Sequence, residues 1–225
     1  MNYTPYSHSK LSCHEQCPWM FKAKYIEKLK IQGNPKYFEK GNYYHWILQY
    51  YPNTPPDAPW VWKFNGPEVV KEYEDYIRTF LKNPRTQYLL KKCKSLRERE
   101  FQIHGDLKEQ KAIDAVKLDS ITWGFIDMMA IEPDRPNSLT LVDWKSQSRS
   151  EIKINGPQLE MYALWAFLFT EVDDVRVEYG YIQNNTYDSM TYNRERDFWL
   201  LRSRVINRIE QVDSDTELAR KVSKQ

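Results

Sequence analysis

Glycine, cysteine and long apolar runs are all scarce in this chain. Its 225 residues hold 7 glycines, at positions 33, 41, 66, 105, 124, 156 and 180, too widely spaced for G-x-x-x-x-G-K-[ST] or G-x-G-x-x-G. A nucleotide-driven motor and a Rossmann cofactor domain are therefore excluded. Three cysteines, Cys13, Cys17 and Cys93, cannot build a disulfide framework. No apolar run approaches the ~18 residues of a membrane span, and the opening MNYTPYSHSK lacks the apolar segment of a secretory signal. The expectation is an intracellular, reduced protein with no membrane part. Charge of one sign is also lacking, with 33 basic against 31 acidic residues. That balance excludes a polybasic binder and requires any nucleic-acid surface to be local.

Aromatic residues are abundant at 15%, including 16 tyrosines and 8 tryptophans. Large rings serve core packing, and they also stack on unpaired bases. A chain of this length buries roughly 70% of its unfolded surface, enough for a true core. Ser9 can cap a helix running through Met20, Phe21, Lys24, Tyr25 and Lys28, with Gly33-Asn34-Pro35 as its stop. A second helix is expected from Tyr37 to Tyr50. After a loop carrying Pro52, Pro55, Pro56 and Pro59, Pro67 starts a charged amphipathic helix to about Leu81.

From Lys94 the pattern changes to strands. SLREREFQI, ITWGFIDMMAI and LTLVDWKS alternate or run apolar over strand lengths, with turn residues between them. Asn155-Gly156-Pro157 opens the helix QLEMYALWAFLF, apolar on most sides and so expected to be buried. Two further strands, VRVEYGYIQ and TYDSMTY, precede a last helix from about Arg194. No internal repeat or linker interrupts this order. The expectation is one α/β domain over 1–225: a helical N-terminal layer (1–90), a small mixed sheet with the site (91–193) and a C-terminal helix (194–225).

The most informative stretch is Gly124-Phe125-Ile126-Asp127 followed by Leu141-Val142-Asp143-Trp144-Lys145, with Pro133-Asp134-Arg135-Pro136-Asn137 as the turn. In an antiparallel hairpin centred near Arg135, Asp127 and Asp143 are each eight residues from the midpoint. They would face each other on one side of the sheet with Cβ atoms ~5 Å apart, and Lys145 would share that side. Two carboxylates packed among apolar strands repel unless a cation lies between them. A divalent metal with oxygen ligands is the simplest such cation. An Asp and a Lys two apart on a strand can equally form a surface salt bridge that needs no metal.

The order of motifs resembles the PD-(D/E)XK nuclease superfamily, and within it the RecB-like branch that includes CRISPR-adaptation and phage exonucleases. Ser7-x-Ser9-x-Leu11 with Cys17-Pro18-x-x-Phe21 and Tyr25 is similar to the branch's opening helix. Gly41-x-x-x-His45 is similar to its histidine motif, Gly124-x-x-Asp127 and Asp143-Trp144-Lys145 to its acidic and acidic-lysine motifs, and Gln158-x-x-x-Tyr162 to its closing helix motif. The resemblance runs from about Ser7 to Tyr162. It implies a restriction-endonuclease-like fold and a Mg2+- or Mn2+-dependent hydrolase of DNA, with single strands or ends as preferred substrates. Partners implied are DNA and a helicase, recombinase or integrase, in the cytoplasm of a prokaryotic or phage-infected cell. His45, Asp127, Asp143 and the backbone carbonyl of Trp144 would hold the metal, and Lys145 would be the catalytic lysine.

Other residues carry weaker signals. A histidine such as His45, read alone, is more often packed or hydrogen-bonded than a ligand, and Glu100 is equally a surface glutamate or an acidic contact near the metal. Gln158 and Tyr162, four apart on one helix face, could bind phosphate oxygens or satisfy each other in the core. Lys91, Lys92, Lys94, Arg97 and Arg99 line a backbone groove or form a solvated face. The sequence also departs from the branch. Several relatives bind an iron–sulfur cluster through one N-terminal and three C-terminal cysteines. Cys17 matches the first, but no cysteine follows Cys93, so no such cluster is expected. Cys13, His14 and Cys17 are expected to pack. The rival reading is a non-catalytic module of the same fold that binds nucleic acid or a protein partner.

Overall fold

The structure, a computed structural model, describes residues 6–29, 35–50, 67–103, 122–147 and 156–222. The proline loop at 52–59 lies outside them, as do the side chains of Arg97, Arg99 and Glu100. In chain order the elements are α1 (His8–Gln16), α2 (Pro18–Phe21), a π-helical turn (Lys22–Ile26), α3 (Pro35–Tyr50), α4 (Pro67–Leu81), α5 (Pro84–Lys91), β1 (Lys94–Ile103), β2 (Thr122–Ile131), β3 (Ser138–Lys145), α6 (Pro157–Phe169), β4 (Asp174–Tyr181), β5 (Thr186–Asn193) and α7 (Arg194–Val222). The five strands form one mixed sheet in the order β1-β2-β3-β4-β5. Contacts divide the chain into two compact units. One is Met1–Gln32, Glu100–Phe125 and Asp197–Gln225; the other is Gly33–Arg99 and Ile126–Arg196.

In the first unit the opening helix differs from its sequence reading. Its cap is Ser7, whose extended backbone lets the hydroxyl accept from the Lys10 N–H at 3.2 Å. Ser9 is already inside the helix, its hydroxyl 3.0 Å from that of Ser7. The helix breaks at Cys17, which is extended (φ −159°, ψ 97°) because the ring of Pro18 disfavours the α conformation before it. Ion pairs tie α1 to α7: His14 to Asp215 at 3.2 Å, and Arg208 to Glu15 at 2.5 Å. Leu11, Phe21, Leu201, Val205, Ile209 and Val212 are buried.

The second unit holds the sheet centre. Its helix α5, not expected from periodicity, starts from local chemistry: the Asn83 side chain accepts from the Arg85 N–H at 2.9 Å, and Pro84 occupies the first helical position. Strand β2 pairs antiparallel with β3, Met128 opposite Val142 and Ala130 opposite Thr140. Strand β3 pairs parallel with β4, and β4 antiparallel with β5. Parallel neighbours need a crossover, and α6 supplies it, buried along nearly its whole length. A core forms from Tyr44, Ile47 and Leu48 of α3, Ile77 and Phe80 of α4, Leu89 and Leu90 of α5, and Met128, Val142 and Trp144 of the sheet.

Gly180 marks the tightest point of that core. A Cβ there would lie 2.7 Å from Trp144 Cε3 and 3.1 Å from Phe80 Cζ. Gly180→Ala is expected to lower stability by about 1–3 kcal/mol, because the indole cannot retreat from a packed layer. Urea unfolding measures it, and an unchanged midpoint would show that the layer yields.

Candidate active site

Every described side chain of the site belongs to the second unit. Strands β2 and β3 pair from Met128–Val142 to Ala130–Thr140, and Asp127 and Asp143 each lie one residue beyond the Met128–Val142 pair. Both are buried, 8% and 5% exposed. They remain so because the strands on which they sit are apolar around them: Ile126, Met128, Leu141 and Val142 are fully enclosed.

The two carboxylates have different surroundings. Asp127 accepts the backbone N–H of Trp144 on Oδ2 at 2.7 Å, and its Oδ1 lies 3.2 Å from Nδ1 of His45. Asp143 faces Lys145, Oδ1 to Nζ at 2.6 Å, and its Oδ2 accepts the Tyr162 hydroxyl at 3.2 Å. Burial pushes the Asp127 carboxyl above its usual range, with the Asp143 charge adding to it; His45 and the Trp144 N–H act in the opposite direction. His45 reaches this place because Tyr43, Tyr44, Ile47 and Leu48 anchor α3 in the core, leaving its own side chain one-third exposed.

Gln158, at the start of α6, joins the two halves of the site. An ammonium can only donate, so the Gln158 oxygen must be the atom facing Lys145, at 2.8 Å. The amide nitrogen is then directed at the Tyr162 hydroxyl, also at 2.8 Å. Burial first, and then the Asp143 and Asp127 charges, hold the Tyr162 phenol well above its ordinary pKa. It stays protonated and donates to Asp143. The indole of Trp144 is core, its ring edge against Phe80 at 5.8 Å.

The two carboxylates suit a hard divalent cation, with the remaining positions available to water or main chain, and the imidazole of His45 is a softer donor beside them. Among the described residues, no three His, Cys, Asp or Glu side chains are already arranged to hold an ion. The N-terminal His14 and Cys17 are engaged locally, His14 with Asp215 and Cys17 accepting the Met20 N–H at 3.4 Å. Lys91, Lys92 and Lys94 are exposed. No helix among the described residues is long and apolar enough to cross a membrane.

One neighbour of the site escaped the sequence. Tyr179 of β4 lies beside Asp143 in the parallel register, with its ring centroid 4.7 Å from the Lys145 ammonium. No local motif marks it, since only the β3–β4 pairing brings it there.

A buried acid pair with a lysine two residues on from the second acid thus lies on a mixed five-stranded sheet. The family model of the PD-(D/E)XK nuclease superfamily matches residues 5–224, and the chain belongs to that superfamily. Among solved structures, one named "Putative exonuclease", from Eubacterium rectale, is similar over 98% of this chain and 81% of its own, with a TM-score of 0.49 and 11% identity. No curated protein matches the chain.

Proposed function

We propose that the protein is a Mg2+- or Mn2+-dependent deoxyribonuclease, an exonuclease on single strands or DNA ends serving recombination, repair or DNA processing in the cytoplasm of a prokaryotic or phage-infected cell. What supports this reading is the pairing of Lys145 with Asp143 at 2.6 Å beside the buried Asp127 and His45, in a chain of a nuclease superfamily.

His45, Asp127, Asp143 and the carbonyl of Trp144 would hold the cation. When bound, it supplies positive charge against the phosphate and makes water more acidic. The chain's own groups do the rest. As a water oxygen bonds to phosphorus and the bond to the leaving oxygen breaks, negative charge gathers on the phosphoryl oxygens, and the Lys145 ammonium stabilises it. The water's proton passes to solvent, and the leaving oxygen takes one up. Gln158 has two amide N–H bonds and directs one to Tyr162; the second is the proposed donor to a phosphate oxygen. The buried Asp143 holds Lys145 oriented before DNA arrives.

End-labelled single-stranded, double-stranded and circular DNA, assayed across a metal series, tests the reading. Linear DNA is expected to be degraded from its ends with Mg2+ or Mn2+, to survive in chelator, and circles to remain intact. Nicked circles would replace the exonuclease by an endonuclease. DNA bound but uncut in every metal would favour the non-catalytic module.

A further inference from the structure

We propose that Tyr179 is a positioning residue for Lys145, its aromatic face being the surface on which the catalytic ammonium rests. The inference rests on the nuclease reading above and adds to it a residue outside the motif series.

Three contacts hold the ammonium. Asp143 Oδ1 accepts from it at 2.6 Å, Gln158 Oε1 accepts at 2.8 Å, and the Tyr179 ring centroid is 4.7 Å away, inside the ~6 Å over which a ring's negative face attracts a cation. The ring is itself immobilised. Tyr179 is 2% exposed, Tyr181 packs against it edge-on at 6.1 Å, and its hydroxyl reaches the same Gln158 oxygen at 3.5 Å. Burial and the Asp143 charge keep that phenol protonated, its pKa raised. The ring therefore offers a neutral face to the lysine rather than a competing anion.

The need for such a surface follows from the lysine itself. Its four-carbon stem is flexible, and freezing it costs conformational entropy. Two oxygens fix where the N–H bonds point; a rigid face limits where the nitrogen can go. Removing the ring would leave DNA binding to other groups and let the ammonium drift from the position the reaction needs, which slows the chemical step rather than weakening affinity. Parallel pairing makes this dependable, since Asp143 and Tyr179 are direct neighbours on β3 and β4.

Steady-state hydrolysis of linear single-stranded DNA by the full chain tests the proposal. Tyr179→Phe keeps the face and is expected to retain kcat within about threefold. Replacing Tyr179 by pentafluorophenylalanine keeps the shape while reversing the ring's polarity; kcat is expected to fall about tenfold with KM unchanged. The same replacement at Tyr181, whose ring lies against Tyr179, serves as the packing control and should leave kcat within about threefold. Because the two ring variants at 179 are nearly isosteric, the comparison does not depend on a cavity-forming variant folding. Equal kcat for the phenylalanine and pentafluorophenylalanine variants, or a loss confined to KM, overturns the inference and leaves the nuclease reading standing. A wild-type chain that cuts no DNA removes both.

Discussion

Lys145→Met is expected to lower kcat for phosphodiester hydrolysis by about two to three orders of magnitude, the range found when one preorganised donor to a developing oxyanion is removed. The lysine is only 15% exposed and is already oriented by Asp143 and Gln158, so in the proposed reaction its charge would act in a partly desolvated place with little reorganisation. Methionine preserves the stem's volume and deletes only the ammonium. The variant also leaves Asp143 without its cation, so far-UV circular dichroism and thermal unfolding must accompany the kinetics. A folded variant within tenfold of wild type would show that Lys145 only satisfies Asp143 and would remove it from the mechanism.

The second large effect lies in the same unit, away from the acid pair, at the ion network that joins α5 to the sheet. Arg85 donates to both oxygens of Glu132, at 2.6 and 3.1 Å, and to both oxygens of Glu178, at 2.8 and 3.1 Å. Thr140 also donates to Glu132 and Arg176 to Glu178, at 2.6 and 2.5 Å. Glu178 is fully buried and Glu132 nearly so. Arg85→Met is expected to destabilise the protein by about 3–5 kcal/mol, chiefly because it leaves carboxylates buried without their shared cation. Chemical denaturation checks this; a loss under 1 kcal/mol would mean that water reaches the glutamates.

The pH dependence gives an independent readout. Hydrogen bonds from Arg85 hold the Glu132 carboxyl at about 2, below its ordinary 4.5, despite the opposing effect of burial. A depressed acid stabilises the fold above its unfolded value. That contribution is fully present above about pH 4.5 and is lost as pH falls toward 2. In Arg85→Met the largest effect holding the carboxyl down is gone while burial remains, so the stability lost between pH 4.5 and 2 should shrink. Parallel stability–pH curves for the two proteins would contradict the assignment.

Much of the architecture was legible because its signals are local. Proline and aspartate in 133–137 mark the turn, and the antiparallel register that follows pairs Met128 with Val142, next to Asp127 and Asp143. Pro67, Pro157 and the stretch around Arg194 marked helix starts that the structure retains. Other local choices were less clear. Ser7 and Ser9 are equally good caps by composition, and only the extended backbone at Ser7 decides between them. The eight residues of α5 carry too few apolar positions for periodicity to register, although Asn83-Pro84 is a start signal in itself.

What the sequence alone determined, then, is the hairpin, the helix that follows it and the identities of the acids, lysine, glutamine and tyrosine that meet beside them, because turn geometry and periods of two and four operate over a few residues. Tertiary structure decided the surroundings of those groups: Tyr179 against the Lys145 ammonium, His45 beside Asp127, and Arg85 shared by Glu132 and Glu178. Each joins segments far apart in the chain, through a parallel strand crossover or a helix seated on the sheet. Which residues meet there depends on how whole surfaces pack, and no short stretch of sequence carries that information.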